Sequence, residues 1–355
     1  MIGIDLFAGA GGMSLGASLA GVDVQLAVEN EPWACATYRR NHPTTIVHEG
    51  DIRKVTAKNL QPWTTSLESL ALFGGPPCQG FSWSNAKTRN DSNANNWLFR
   101  EFIRVAKILK PAWIVFENVQ GFVDTGGGLF CESTERSLKG MGYNVWTKKL
   151  NAIDFGVPQD RTRFFLVGSL HQSDFHFPSK TKERITVDEA IRDLPILQNG
   201  HRTCWMKYGR KKPSNYAKRM RGSQEGCCNN LVTKNADFVL ERYNYVPEGG
   251  NWEDIPENRM DNYADRSRCH TGIYHRLTRK KPSIVIGNFR KNMLIHPDQN
   301  RGLSVREAAR LQSFPDSYEF VGSIGFQQQQ VGNAVPPFLA REVFKAIIQA
   351  GETTL

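Results

Sequence analysis

Apolar residues in the N-terminal half of the chain arrive in two rhythms. Short, largely apolar runs at Ile2–Phe7, Val22–Val28, Leu70–Phe73, Ala112–Phe116 and Phe164–Val167, the first two interrupted by polar residues, have the length and character of buried strands. Between them, Leu98, Phe99, Phe102, Ile103, Val105, Ala106 and Leu109 recur at helical spacing and predict a helix over 98–109. The first run ends in a glycine-rich turn, Ala8-Gly-Ala-Gly-Gly12, which should open a helix through about Leu19 that Gly21 stops. Alternating strands and helices predict an α/β domain with a mostly parallel sheet. Ligands of such sheets sit outside the carboxyl ends of the strands.

The rhythm fails between about 195 and 295, where Gly, Asn, Pro and charge are dense and no long amphipathic helix is legible. This predicts a smaller, irregular domain of short strands and loops. Order returns at Ser304-Val-Arg-Glu307, a capping box that begins a helix through about Gln312, closed by Phe314-Pro315. Pro336-Pro337 then starts an amphipathic helix over about 338–349, expected to pack on the first domain. The reading gives a domain over 1–185 completed by 328–355, and a second over 186–327.

With 355 residues, 40% hydrophobic and 23% charged, the chain is neither disordered nor membrane-spanning by composition. The opening Met1–Phe7 has no basic n-region, so no secretory signal is expected. Seven cysteines without a Cys-x-x-Cys pair suggest a reducing cytoplasm and no disulfide framework. Cys227-Cys228 with Cys269-His270 is a conceivable metal set, but its spacing matches no zinc module, and no metal is expected. The net charge of +10 is uneven, +3 over 1–185 and +7 over 186–355. Arg202, Lys207, Arg210, Lys211, Lys212, Lys218, Arg219 and Arg221 stand together without an acid, with Tyr208 and Tyr216 among them. Such a stretch suits a polyanion, and by itself suits a solvated loop equally well.

Four segments carry candidate chemistry, each read at a strand end. The turn Asp5-Leu-Phe-Ala-Gly9-Ala-Gly11-Gly12 lets backbone approach a ligand, and Glu29 closes strand two where an acid meets ribose hydroxyls. Position 14 is Ser, where the nicotinamide fingerprint needs Gly, so a nucleoside without a pyrophosphate fits at least as well. Asp51 is placed to bond an adenine amino group, or is a plain loop acid. Gly74-Gly-Pro-Pro-Cys78-Gln-Gly-Phe-Ser82 presents a cysteine from a stiffened turn, ahead of an Asn-rich loop. Glu117-Asn-Val119 follows a strand, where its carboxyl is either partly desolvated, with a raised pKa, or a helix cap. A period of two puts Gln159, Arg161 and Arg163 on one face of a strand, unless this is an edge strand with a wet face.

Together with Arg301–Asp316 and Gln330–Pro337, these motifs, in this order, resemble the DNA cytosine-5 methyltransferase family across most of the chain. The unmatched part, about 195–295, is where that family places its target-recognition region, which moves the basic stretch toward DNA. The resemblance implies a Rossmann-like S-adenosylmethionine-dependent domain that methylates carbon 5 of a flipped-out cytosine and releases S-adenosylhomocysteine. It assigns the nucleophile to Cys78, the hold on the base to Glu117 and Arg163, and ordering of the site to Arg161. It assigns the cofactor pocket to Phe7, Ala8, Gly9, Gly11, Gly12, Glu29, Asn30, Asp51, Ile52, Pro76, Leu98, Asn333 and Val335. Asn30 stands where relatives often carry an apolar or aromatic residue. DNA contacts are expected from Gln79, Ser82, Lys87, Arg89, Lys211, Lys212, Arg219 and Arg221. The charged residues of Arg301–Asp316 are expected to brace the second domain. The expected partner is double-stranded DNA, with a cognate restriction endonuclease possible in the same system, and the chain is expected to be a cytoplasmic monomer of a bacterium or phage. Competing readings are the same chemistry on tRNA, disfavoured by Gly80, a binding module without catalysis, and a nicotinamide oxidoreductase.

Overall fold

The computed structural model describes residues 1–64, 69–77, 97–124, 128–171, 174–260, 271–289 and 293–352. Two compact units emerge. One comprises Met1–Phe155, Thr162–Thr181 and Pro337–Leu355, and the other Gly156–Arg161 and Lys182–Pro336.

The first unit is built on seven strands: β1 (Ile2–Leu6), β2 (Asp23–Glu29), β3 (Ile46–Glu49), β4 (Leu70–Gly74), β5 (Trp113–Asn118), β6 (Asn144–Asn151) and β7 (Thr162–Ser169). Their order is β3-β2-β1-β4-β5-β7-β6. The first five are mutually parallel, and β7 runs antiparallel to both β5 and β6. This is the α/β, mostly parallel architecture that the apolar runs predict. The central strands β4 and β5 are buried at every position, as strands covered on both faces must be.

Helices flank the sheet. In Phe99–Leu109, Phe102 and Ala106 are fully buried, and the Phe102 ring meets Phe116 of β5 edge-on at 5.3 Å. The helix Gly12–Leu19 lies against Pro337–Glu352. Gly16 permits that approach, because a Cβ there would stand 2.5 Å from the Ala340 Cβ. Position 74 is glycine for a similar reason: its Cβ would fall 2.0 Å from the Leu6 carbonyl oxygen on the neighbouring strand.

The second unit is as irregular as its composition suggests. It contains a two-residue ribbon, β8 (Met206–Lys207) with β9 (Gly226–Cys227), and the seven-residue helices Asn215–Arg221, Asp237–Tyr243 and Val305–Leu311. The capping box at Ser304 is formed, with Ser304 and Glu307 side chains satisfying each other's backbone N–H. Beside an apolar cluster around Tyr243, Tyr274 and Ile295, a charged lattice runs through its interior. Arg310 pairs with Asp193 and Asp316, each at 2.6 Å, and Arg301 pairs with Glu307 at 2.7 Å, all of these side chains being fully or almost fully buried. The bracing role expected of Arg301–Asp316 has this physical form: each buried charge is neutralised and hydrogen-bonded.

One expectation needs correction. Gln159, Arg161 and Arg163 do not share the face of one strand, because β7 begins only at Thr162. Gln159 and Arg161 belong to the second unit. Nor is β7 an edge strand, since it pairs on both sides.

Candidate active site

The glycine turn is held by hydrogen bonds to its neighbours. Phe7, with φ 59°, and Gly9, with φ 55°, carry the chain sharply out of β1, and Gly9 faces open space. Glu29, at the end of β2, accepts from Gly9 N at 2.7 Å through one oxygen and from Asn30 N and Glu31 N, each at 2.8 Å, through the other. Its main-chain carbonyl accepts from Gly50 N at 2.8 Å. One residue thus ties together the loops that follow β1, β2 and β3. Ala8, Gly11 and Gly12 line the same turn and are buried, whereas Asn30 is exposed beside it. Asp51 and Ile52 follow β3. The Asp51 carboxylate caps Arg53 N at 2.9 Å and is paired with the Arg53 guanidinium, which holds its pKa down to about 2. Leu98 and Phe7 are partly buried against the core, and Pro76 is buried.

Beneath the turn lies a polar chain that no sequence motif announces. Ser14 Oγ donates to Asp5 Oδ2 at 2.6 Å, and Tyr38 Oη donates to Ser14 Oγ at 2.7 Å. This explains the serine at position 14: it supplies a hydroxyl to a buried acid. Burial, opposed by Ser14 and reinforced by the charge of Glu29, pushes the Asp5 carboxyl up to about 8. His42 stacks on Tyr38 with ring centroids 4.4 Å apart, and burial draws its pKa down to about 4. The only signal in sequence is an acid inside an apolar run, followed nine residues later by a hydroxyl.

The second constellation forms at the carboxyl end of β5. Glu117 and Arg163 pair at 3.1 Å between Oε1 and Nε, with side chains only 9% and 12% exposed. The reversal of β7 creates this meeting, because its register sets Phe165 opposite Glu117 and so brings the start of β7 to the carboxyl end of β5. Burial pulls the Arg163 guanidinium below the usual arginine range, and Glu117 opposes that pull. Gly75 is backed directly against the acid, since a Cβ there would lie 2.6 Å from Glu117 Oε2. Asn118 Nδ2 donates to the Pro76 carbonyl at 3.1 Å, while its Oδ1 accepts from Val119 N at 2.8 Å. The stem of the Pro76-Pro77 segment is therefore fixed to the strand that presents Glu117. Asn118 lies inside the Glu117-Asn-Val119 motif, which by itself gives no sign of this role. Cys78, Gln79, Ser82, Lys87 and Arg89 lie outside the described residues.

In the second unit, Gln159 is bonded to Ile286 N at 2.9 Å and to Gln312 Oε1 at 2.9 Å. Arg161, 1% exposed, donates to the carbonyls of Ile286, Gly332 and Ala334 at 2.8, 2.8 and 3.1 Å. It fixes the turn that carries Asn333, which is exposed, and Val335, which is buried. Lys211, Lys212 and Arg219 are exposed, but Arg221 is not available in the same way. Its guanidinium bonds Asp193 Oδ2 through Nε at 2.6 Å and lies 3.8 Å from the Tyr208 ring centroid. Among the described residues no group of three His, Cys, Asp or Glu could hold a metal, and no helix is long and apolar enough to cross a membrane.

The sheet and its carboxyl-end acids define a Rossmann-like methyltransferase fold. Solved structures agree: a prophage-encoded chain from E. coli superposes with a TM-score of 0.80 at 24% identity, covering 99% of both chains. The Entamoeba histolytica methyltransferase EhMeth gives 0.64 at 14% identity over 98% of each. The family model described as C-5 cytosine-specific DNA methylase matches residues 1–349, and the chain belongs to that family of enzymes. Its relatives include the Type II methyltransferases M1.HphI of Haemophilus parahaemolyticus, 38% identical over 98% of this chain and 86% of the relative, and M.DdeI of Desulfomicrobium norvegicum, 32% identical over 97% and 88%.

The state of Asp5 is testable. An unfolded chain gives up this proton above the ordinary 3.8, whereas the fold keeps it to about 8, so unfolding releases a proton throughout that interval and stability falls as pH rises through it. Asp5→Asn should therefore lose less Tm than the unaltered chain between pH 5 and pH 8.5. Parallel Tm curves for the two proteins would show that Asp5 is already ionised in the fold.

Proposed function

We propose that this enzyme transfers a methyl group from S-adenosylmethionine to carbon 5 of a cytosine flipped out of a specific duplex DNA sequence, through a covalent adduct between Cys78 and carbon 6. The observation that carries the reading is the buried Glu117–Arg163 pair packed on the Gly75-Pro76 stem that leads to Cys78. Chemistry supplies the logic. Carbon 5 of cytosine is a weak nucleophile until a thiolate adds at carbon 6 and turns the ring into an enamine. Glu117 would hold N3 and the exocyclic amine, and Arg163 would hold O2, so that charge developing on the ring meets fixed opposite charge in a poorly solvated site. Loss of the carbon 5 proton and departure of Cys78 then restore the aromatic ring. A base inside the duplex cannot reach such a buried pair, which is why extrusion is part of the proposal.

The turn over Phe7–Gly12 fits the donor. Open space over Gly9, acids at the ends of β2 and β3, and the exposed Asn30 beside them suit a nucleoside with ribose hydroxyls and an adenine amine. Glu29 would receive the ribose on the lone pairs that Gly9, Asn30 and Glu31 leave unused. Asp51 would meet the adenine once Arg53 swings aside, and Ile52, Pro76 and Leu98 would give apolar walls. When bound, the group supplies an electrophilic methyl. The second unit would read the DNA, with Lys211, Lys212 and Arg219 on phosphate. Arg221, held by Asp193, would brace the fold instead of touching DNA. The names of the relatives suit a role in Type II restriction–modification; the enzyme would act in the cytoplasm as a monomer, within such a system or as an orphan modification enzyme.

Bisulfite sequencing of DNA from cells expressing the enzyme identifies the modified base and its context. A duplex carrying 5-fluorocytosine at that position cannot lose a proton from carbon 5, so the enzyme should remain covalently attached in the presence of donor. Cys78→Ala should give no adduct and less than about a thousandth of the methyl transfer, with DNA affinity retained. A variant that keeps a tenth of the activity would remove the nucleophile assignment. Replacing Lys211, Lys212 and Arg219 by Gln should weaken binding to random-sequence duplex and reduce the slope of log K against log salt by roughly 0.9 for each phosphate that is no longer neutralised. Arg221→Gln should instead lower Tm with little effect on that slope. An unchanged slope in the triple variant would mean that other residues neutralise the phosphates.

A further inference from the structure

Among the described cysteines of the second unit, Cys204 and Cys228 stand apart from Cys227 by position and access. The ribbon register sets Met206 opposite Cys227, so the two cysteines flank its open end. Cys204 is exposed and Cys228 partly exposed. Asn229 N donates to Cys204 Sγ at 3.1 Å, which puts that sulfur against the backbone immediately following Cys228. Both backbones are pinned. The Cys204 carbonyl accepts from Asn230 N at 3.2 Å and Nδ2 at 3.0 Å, and the Cys228 carbonyl accepts from Nε of the buried Arg306 at 2.9 Å. Adjacent Cys227 is set apart: it is buried, with its thiol turned to Asn230.

We propose that Cys204 and Cys228 form a built dithiol site, open to two-electron thiol oxidants, that closes to an intramolecular disulfide without rearrangement of the surrounding fold. With an azo oxidant such as diamide, the Cys204 thiolate adds to one nitrogen of the N=N bond, and the other nitrogen takes a proton. The Cys228 sulfur then attacks the Cys204 sulfur and displaces the nitrogen, which leaves with the Cys228 proton as a hydrazine. Two thiols are oxidised and one azo group is reduced. Cys204, the exposed thiol, is the attacking group, and Cys228, partly covered and with its thiol pushed up by burial, is the resolving one. The bond would close a loop that carries Lys207, Lys211, Lys212, Lys218 and Arg219. It stands independently of any role for that loop on DNA.

The full-length protein, treated with diamide, denatured in N-ethylmaleimide, digested and analysed by mass spectrometry, tests this. A peptide linked through Cys204 and Cys228 should appear, both residues should lose their alkylation, and dithiothreitol should restore it. Cys227→Ser should keep the link. Cys204→Ser should abolish it and leave Cys228 alkylated, with an unchanged circular dichroism spectrum showing that the variant is folded. Full alkylation of both residues after oxidation, a link from Cys204 to Cys227, or a link between two chains would each overturn the proposal.

Discussion

The structure turns on an acid and a cation brought together by the reversal of one strand. In a wholly parallel sheet, Arg163 at the start of a strand would lie at the end opposite to Glu117. Because β7 runs against β5, both fall at the same edge and pair at 3.1 Å in a site that excludes most water. A buried pair of this kind contributes little net stability, and its partners are costly to separate. Under the proposed function, its value would lie in presenting two fixed, opposite charges to a planar heterocycle with both donors and acceptors. Gly75 and Asn118 then fasten the chain that leads to Cys78 onto the same strand.

Around the glycine turn the same economy holds. Glu29 uses both carboxylate oxygens and its carbonyl to gather three loops, so the shape of that end of the sheet depends on one residue. Asp5, Ser14 and Tyr38 form the polar underside of the turn, where an apolar floor would leave nothing to orient it. The second unit solves a different problem. It has few regular elements, and alongside an apolar cluster its interior holds arginines matched to carboxylates and carbonyls. This ties distant, loop-like segments together where strand ladders do not.

What could be read in advance follows from burial. β1, β4 and β5 are covered on both faces and announce themselves as apolar runs. The edge strands β3 and β6 escape notice, because half of their residues face water and β6 carries Lys148 and Lys149, charges that also guard an exposed edge. Motif order marks Glu117 and Arg163 as candidates, and their pairing is not legible there, since it depends on strand direction. Asn118, Gly75 and the partners of Asp5 act through contacts between segments distant in sequence, which no spacing rule reveals. Arg221 looks like its basic neighbours in the sequence and differs because Asp193 and the Tyr208 ring hold it.

The central claim is that Glu117 and Arg163 act as one unit on the base. A double-mutant cycle on the single-turnover rate constant for methyl transfer, with Glu117→Gln, Arg163→Gln and both, tests it most directly. Each single change should cost about 100-fold or more, and the double variant should be no more than about tenfold worse than either, because the first loss already disables the pair. Losses that multiply would show two groups working independently and would contradict the account.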